Sequence, residues 1–443
     1  MQKTTNLKLI LGLGKTGLSC VRHLIRQGAN VAVMDSRDNP PGLLELQQQF
    51  PNVPIFLGKF DTNILNQASE LIVSPGLSLK EPAIAAQIKR GVSVIGDIEL
   101  FARAAKAKVV AITGSNGKST VTTLVGEMAK DAGLDTRVGG NLGTPALELI
   151  TKKEPDLYVL ELSSFQLETT FSLAPEVAVI LNVTADHMDR YADFAEYLTA
   201  KQLIYRHAKN CVLNRDDLQS YAEVSYKNNT TSFGLDAAPH NAFGLQEGFL
   251  MYEDQQLITS SELKIKGRHQ VANALAALAI GKVLNLPMTK MLATLRAFTG
   301  LQHRCQWVRT INGVAFYNDS KATNVGATEA TIAGLGAEIK GKVILIAGGM
   351  GKDADFSSLH EVVKQYVREA VLIGRDAPII ARCIEGATEI VNATSMEDAV
   401  HKAFLAAKPY DAVLLAPACA SFDMFNNFEH RGDEFARCVK ALN

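Results

Sequence analysis

Val109-Val110-Ala111-Ile112-Thr113-Gly114-Ser115-Asn116-Gly117-Lys118-Ser119-Thr120 decides the reading of this chain. An apolar strand ends in a glycine loop, and the loop runs through Lys-Ser-Thr into a helix-like segment, 121–130. Such a loop aims backbone N–H groups and a helix N-terminus at one point, which suits a polyphosphate. Lys118 is placed to reach β- and γ-phosphates, and the Ser119 hydroxyl to sit on Mg²⁺. Gly114, Ser115, Asn116, Gly117 and Thr120 complete the candidate cradle. The loop departs from the standard phosphate-loop signature, which has a glycine where Ile112 stands. The alternative is a plain β-turn-α connection with an incidental lysine.

The 443 residues suggest about three domains. A composition 47% hydrophobic and 21% charged is that of a globular protein with real cores. The net charge of −1 argues against a broad nucleic-acid footprint. Residues 1–8 lack a charged-then-apolar leader pattern, and no apolar run approaches the ~20 residues of a membrane span. Cys20, Cys211, Cys305, Cys383, Cys419 and Cys438 are scattered, which fits reduced, mostly buried thiols and a cytoplasmic protein.

Strand and helix signals alternate in three blocks, predicting an α/β fold with mostly parallel sheets. Block one, 1–97, has strands at 8–11, 30–34 and 71–73 and a helix at 16–27. Block two, 98–300, opens with a helix at 98–105 that could belong to either neighbour. It carries the phosphate loop, strands at 157–160 and 177–181, and helices at 271–283 and 289–298. Block three, 301–443, has strands at 343–346, 370–373 and 412–415.

Gly12-Leu13-Gly14-Lys15-Thr16-Gly17 is a G-x-G-x-x-G between a strand and a helix, with Asp35 ending the next strand. Alone it spells a dinucleotide fingerprint. The pattern reports a tight βα turn for a phosphate-bearing ligand, and a UDP pyrophosphate meets the same geometry. Nucleotide-sugar binding, NAD binding and a merely structural turn all remain open. Ser74-Pro75-Gly76 ends another strand, where open α/β sheets bind ligands; a simple turn explains it equally well.

Around the phosphate loop, Glu161 ends a buried strand, suited to Mg²⁺ or to a helix N-terminus. Gly139-Gly140-Asn141-Leu142-Gly143 lets backbone approach a ligand. His187 follows a strand within the polar run 182–190 and is either a metal or substrate group or a structural histidine. Lys201, in a helical stretch at 194–207, reads by default as a solvated lysine. Lys352 reads equally as a surface lysine and Arg304 as an ion-pair partner. Trp307 reads as core, and the Met and Phe residues of 424–428 as packing.

The motifs Thr113 to Thr120, Gly140-Asn141-Leu142-Gly143, Glu161-Leu162-Ser163-Ser164-Phe165-Gln166-Leu167-Glu168 and Asn182 to Arg190 together resemble the Mur ligases of peptidoglycan synthesis. Asn318-Asp319-Ser320-Lys321-Ala322-Thr323-Asn324 and Ser421-Phe422-Asp423 extend the resemblance over essentially the whole chain. It implies three domains: a Rossmann-like sheet binding the UDP substrate, a central P-loop-type ATPase domain, and a Rossmann-like C-terminal domain binding an amino acid. The implied activity is ATP-dependent amide ligation through an acyl phosphate, here of D-glutamate onto UDP-N-acetylmuramoyl-L-alanine, in a monomer using two Mg²⁺ ions.

By the resemblance, Lys118, His187, Lys201, Arg304 and Lys321 serve catalysis. Ser119, Glu161, His187 and Lys201 hold metal, with Lys201 carbamylated. Asn273 contacts adenine, Gln270 keeps or loses a neighbouring contact, Arg304 meets the γ-phosphate, and Asp319 makes a ribose or hinge contact. Gly14, Lys15, Thr16, Ser74, Pro75, Gly76 and Asn141 bind the UDP substrate, with Asp35, Ser36 and Arg37 at its uridine end. Thr323, Lys352, Ser421 and Phe428 take D-glutamate. Gly300 and Leu301 are candidate hinge positions. The competing classes are another Mur-type or folylpolyglutamate-type ligase, an NAD-dependent oxidoreductase, and a non-catalytic nucleotide-binding regulator.

Overall fold

The computed structural model describes residues 6–221, 229–265 and 267–442. Residues 1–5 of the N-terminal stretch read for a leader lie outside the described residues. Three sheets organise the chain. The first is parallel, in the order β3-β2-β1-β4-β5, from β1 (Leu7–Leu11), β2 (Asn30–Asp35), β3 (Ile55–Leu57), β4 (Ala68–Val73) and β5 (Ser93–Ile95). The strand order reverses between β1 and β4, so a crevice opens beyond their carboxyl ends, where Gly12 and Ser74 sit.

The second sheet contains β6 (Lys108–Thr113), β7 (Thr136–Gly140), β8 (Leu157–Glu161), β9 (Val177–Ile180), β10 (Asn210–Asn214), β11 (Asn229–Phe233), β12 (Ala242–Gln246), β13 (Phe249–Tyr252) and β14 (Gln255–Thr259). Its order is β14-β13-β12-β11-β10-β9-β6-β8-β7. Val109 to Thr113 are buried on both faces, which is why β6 is a continuous apolar run rather than an alternating one. The far edge departs from the parallel expectation: β12, β13 and β14 pair antiparallel through short turns, which need no crossover helix.

The third sheet runs β15-β16-β20-β17-β18-β19, from β15 (Gln306–Ile311), β16 (Val314–Asn318), β17 (Val343–Ala347), β18 (Val367–Leu372), β19 (Glu389–Asn392) and β20 (Ala412–Leu415). Only β15 is antiparallel to its neighbour.

The expected helix at 98–105 is Asp97–Ala104, and it does belong to both neighbours. Ile98 and Phe101 join one apolar cluster with Ile10 and Val33 of the first sheet and Val109 and Tyr158 of the second. Phe101 meets Tyr158 edge-on, ring centroids 5.0 Å apart. The helical stretch at 194–207 is an α-helix only over Phe194–Gln202, followed by a 3₁₀ turn, Leu203–Tyr205. Trp307 is not core. It lies on the edge strand β15, 57% exposed, beside a cavity that includes Gly300 and Leu301. Met424 is likewise exposed, on the loop after β20, so the packing expectation for it fails; Phe425 does pack.

Candidate active site

The phosphate loop is shaped by its two glycines. Gly114 (φ 153°) and Gly117 (φ 81°) hold conformations that side chains disfavour. A Cβ at Gly117 would also stand 2.3 Å from Asn273 Oδ1. The turn delivers the N-terminus of helix Lys118–Asp131. Lys118 Nζ folds back onto its own loop, donating to the carbonyls of Gly114 (2.7 Å) and Ser115 (2.8 Å). Burial lowers its pKa against the opposing pull of Glu161 and Asp186.

Glu161, at the end of β8, is held at both oxygens. Ser119 Oγ donates to Oε2 (2.6 Å) and Asn141 Nδ2 to Oε1 (2.7 Å). Arg304 Nη2, from the third unit, donates to Ser119 Oγ at 2.6 Å. Lys201 is 2% exposed, contrary to the default surface reading. Its Nζ donates to the Gly114 carbonyl (2.9 Å) and lies 4.6 Å above the Tyr197 ring. Burial, reinforced by Lys118, pushes its pKa well below the ordinary lysine value. His187 has φ 59°, its ring packs edge-on against Phe165, and burial lowers its pKa.

Among the described residues there is no cluster of three His, Cys, Asp or Glu side chains. A divalent cation would instead meet Ser119, Glu161, His187 and Lys201, which with Asp186 face a cavity of about 430 Å³. The Ser119–Glu161 pair offers the hard oxygen ligands Mg²⁺ prefers.

The third unit closes this cavity with Arg304, Lys321, Thr323, Asn324 and Lys352. Lys321 Nζ lies 3.7 Å above the Phe428 ring, and burial beside Arg304 brings its pKa down to about 8. Phe428 and Ser421 are not among the walls of this cavity; the Phe428 ring lies under Lys321, and Ser421 is buried. A second cavity, about 120 Å³, adjoins the phosphate loop and is lined by Thr120, Asn273, Arg304 and Asp319. Gln270 lines the same cavity and accepts from Asn273 Nδ2 at 3.1 Å. Asp319 accepts from Thr331 Oγ1 (2.5 Å) and the Cys305 N–H (3.1 Å) and lines the same cavity.

The crevice of the first sheet holds a third cavity, about 540 Å³, with Gly14, Lys15, Thr16, Ser36 and Arg37 on one side. Ser74, Pro75, Gly76 and Asn141 face them. Gly12 (φ 90°) receives Ser74 Oγ on its carbonyl at 2.8 Å, and a Cβ at Gly17 would collide with that same carbonyl. Asp35 lines the cavity with its carboxylate already engaged. Both its oxygens are taken, by the Leu13 N–H (2.7 Å) and by Arg37 Nε (2.9 Å) and Nη2 (2.7 Å). It positions Arg37.

Sequence reasoning assigned no role to two residues that tie the site together. Arg190 donates to the carbonyls of Pro75 (2.7 Å) and Leu77 (2.8 Å), with its guanidinium 3.9 Å from the Phe165 ring centroid. Asp186 receives Lys352 Nζ (3.1 Å) and Asn324 Nδ2 (3.3 Å). Burial pushes its pKa up, but His187 and Lys352 outweigh that and hold it low. The only sequence signal for either was the polar crowding after β9.

Three family models match successive parts of the chain: Mur ligase MurD-like, N-terminal domain, over 6–96; Mur ligase middle domain, over 112–281; and Mur ligase, glutamate ligase domain, over 303–419. The chain belongs to the Mur ligase family. It is 53% identical over 439 residues to the UDP-N-acetylmuramoylalanine–D-glutamate ligase of Pseudomonas fluorescens (strain Pf0-1), covering 98% of each chain. It is 51% identical to the enzyme of that name from Coxiella burnetii (strain Dugway 5J108-111), covering 99% of each. Solved structures share the fold at low identity. A pseudomurein peptide ligase type C from Methanothermus fervidus matches with TM-score 0.64 at 19% identity, covering 99% of this chain and 100% of that one. UDP-N-acetylmuramate–alanine ligase from Thermotoga maritima matches with TM-score 0.61 at 17%, covering 98% and 99%.

Proposed function

We propose that the chain joins D-glutamate to UDP-N-acetylmuramoyl-L-alanine, with ATP converted to ADP and phosphate, in the cytoplasm and as a monomer. One observation carries the reading: phosphate loop, metal-type ligands and a cationic wall from the third unit face one cavity. The UDP substrate lies in the crevice between β1 and β4, with Arg37 toward uridine and the Asn141 end toward the phosphate loop. ATP phosphorylates its terminal carboxylate. The amine of D-glutamate, held by Thr323 and Lys352, then attacks the acyl phosphate carbonyl, and phosphate leaves.

The chain's own work is to assemble three substrates in a water-poor gap, where large effective molarities arise. Lys118 exchanges its loop carbonyls for phosphate oxygens, and Arg304 and Lys321 neutralise charge as the phosphoryl group moves. Ser119 and Glu161 would hold one Mg²⁺, and His187 with Lys201 a second. Bound metal neutralises phosphate charge. A neutral Lys201 amine is the form that adds carbon dioxide, losing a proton to become a carbamate; this would supply a carboxylate-type ligand beside His187, where Asp186 is already paired with Lys352 and Asn324.

The test is phosphate release from ATP with UDP-N-acetylmuramoyl-L-alanine and D-glutamate, L-glutamate, L-lysine or no amino acid. Release that depends on D-glutamate is expected. Release with another acceptor would keep the ligase and change its substrate; none, with ATP still bound, would overturn the reading. Small-angle scattering should show compaction on nucleotide binding about Gly300 and Leu301, and an unchanged radius of gyration would refute closure.

A further inference from the structure

Helix Val325–Glu338 carries a buried glycine, Gly334, in its interior. An interior glycine weakens a helix, so its place needs a local reason. The reason lies across the cleft, in the second unit. A Cβ at Gly334 would stand 3.0 Å from the Gly267 Cα and 3.3 Å from His269 Nδ1. Gly267 holds φ 100° and precedes helix Arg268–Val283. The two segments therefore approach glycine to glycine, tighter than a Cβ ordinarily allows.

A hydrogen bond fastens the approach. The Gly267 N–H donates to Glu338 Oε1 at 2.7 Å. The buried His269 ring faces the Ala330 backbone, and its Nδ1 has no partner. The same two helices wall the cavity beside the phosphate loop, with His269, Gln270 and Asn273 on one side and Ala327, Ala330 and Thr331 on the other. The width of that cavity is thus set where the glycines touch.

We infer that Gly267, Gly334 and His269 form a stop that fixes the closed spacing of the nucleotide cleft, making Gly334 a positioning residue for ATP. This rests on the ATP reading above. A methyl group at position 334 holds the walls apart without harming its own helix, since alanine is the better helix former. The UDP crevice lies at the other junction and is untouched.

Full-length Gly334→Ala and Gly334→Leu test the stop by calorimetric ADP titration, KM for each substrate and thermal melting. Gly334→Ala should raise the ADP Kd and the KM for ATP about ten-fold, as interior overpacking does, and Gly334→Leu should raise them more. The melting temperature of Gly334→Ala should not fall, and the KM for the UDP substrate should stay within about two-fold, as for independent sites. His269→Gln, which keeps a donor facing Ala330, should bind ADP better than His269→Ala. Trp307, the chain's one tryptophan, lies beside the hinge cavity, so its fluorescence change on ADP binding should weaken in the glycine variants. An ADP Kd for Gly334→Ala equal to wild type would overturn the stop and leave the ligase intact. A lowered melting temperature with both KM values raised together would reduce Gly334 to packing and overturn it too. A wild-type chain that binds no ADP would overturn stop and ATP reading together.

Discussion

The junction between the first and second units and the junction between the second and third are made of different matter. At the first, the interior is continuous, with Ile10, Ile98, Phe101, Val109 and Tyr158 in one apolar cluster. At the second, among the described residues, the apolar clusters of the third unit include nothing from the units before it. Apart from the close approach of Gly334 to Gly267, its side-chain contacts are largely polar: Arg304 to Ser119, Lys352 to Asp186, Asn324 to Asn116, Glu338 to Gly267. Opening the first junction would expose apolar area, at a cost proportional to that area. Opening the second exchanges protein hydrogen bonds for those of water or a ligand, at small net cost. From this difference we expect the crevice proposed for UDP to be a fixed platform and the proposed nucleotide cleft to be the moving part.

The largest expected effect breaks the rigid junction. Phe101→Ala should cost about 3–5 kcal/mol, as for large buried aromatics, and should lower the unfolding of the first two units together. Denaturant unfolding in which only the first unit weakens would contradict the shared core. At the polar junction the expected effect falls on rate. Glu161→Gln should lower turnover about 10²-fold or more, with little change in melting temperature. A stability loss comparable to Phe101→Ala would mean that this junction, too, is structural.

The third prediction uses pH. Asp97 lies at the rigid junction, buried, with Oδ2 receiving Gln166 (2.9 Å) and Oδ1 unpartnered. Burial raises its pKa from 3.8 to about 6. Between those values the folded chain holds a proton that the unfolded chain releases, so stability falls as pH rises through this window, by up to about 3 kcal/mol. Melting curves from pH 4 to pH 6 should show the fall in wild type and a smaller one in Asp97→Asn. Parallel curves would show that Asp97 is not held neutral. The smallest effect concerns Arg190, whose two hydrogen bonds pin the 75–77 loop. Arg190→Ala should raise the KM for the UDP substrate by about ten-fold or less, leaving that for ATP alone. If instead ATP binding weakens more, the platform and the cleft are not separable.

Much of this was legible in the chain. The α/β alternation, the phosphate loop and the G-x-G-x-x-G turn were visible because they are local: a strand's apolar run, a glycine's positive φ and a helix start each need only a few neighbouring residues. Asp35 shows the limit of such a pattern. It stands where a dinucleotide fingerprint wants an acid, yet its carboxylate is spent on Leu13 and Arg37. Trp307 misled for a related reason. Its size suggests burial, but it sits on an edge strand facing a cavity.

The sequence by itself determined the elements, the phosphate-binding turn and, through resemblance, the family. Only the tertiary structure decided that Lys201 is buried with a carbonyl as its hydrogen-bond partner, that Asp186 and Arg190 fasten the site, and that Gly334 meets Gly267. Local conformation follows from sterics along the backbone. Burial, and pairings such as Arg304 with Ser119, 185 positions away, follow from which surfaces pack together, and no neighbouring residue records that.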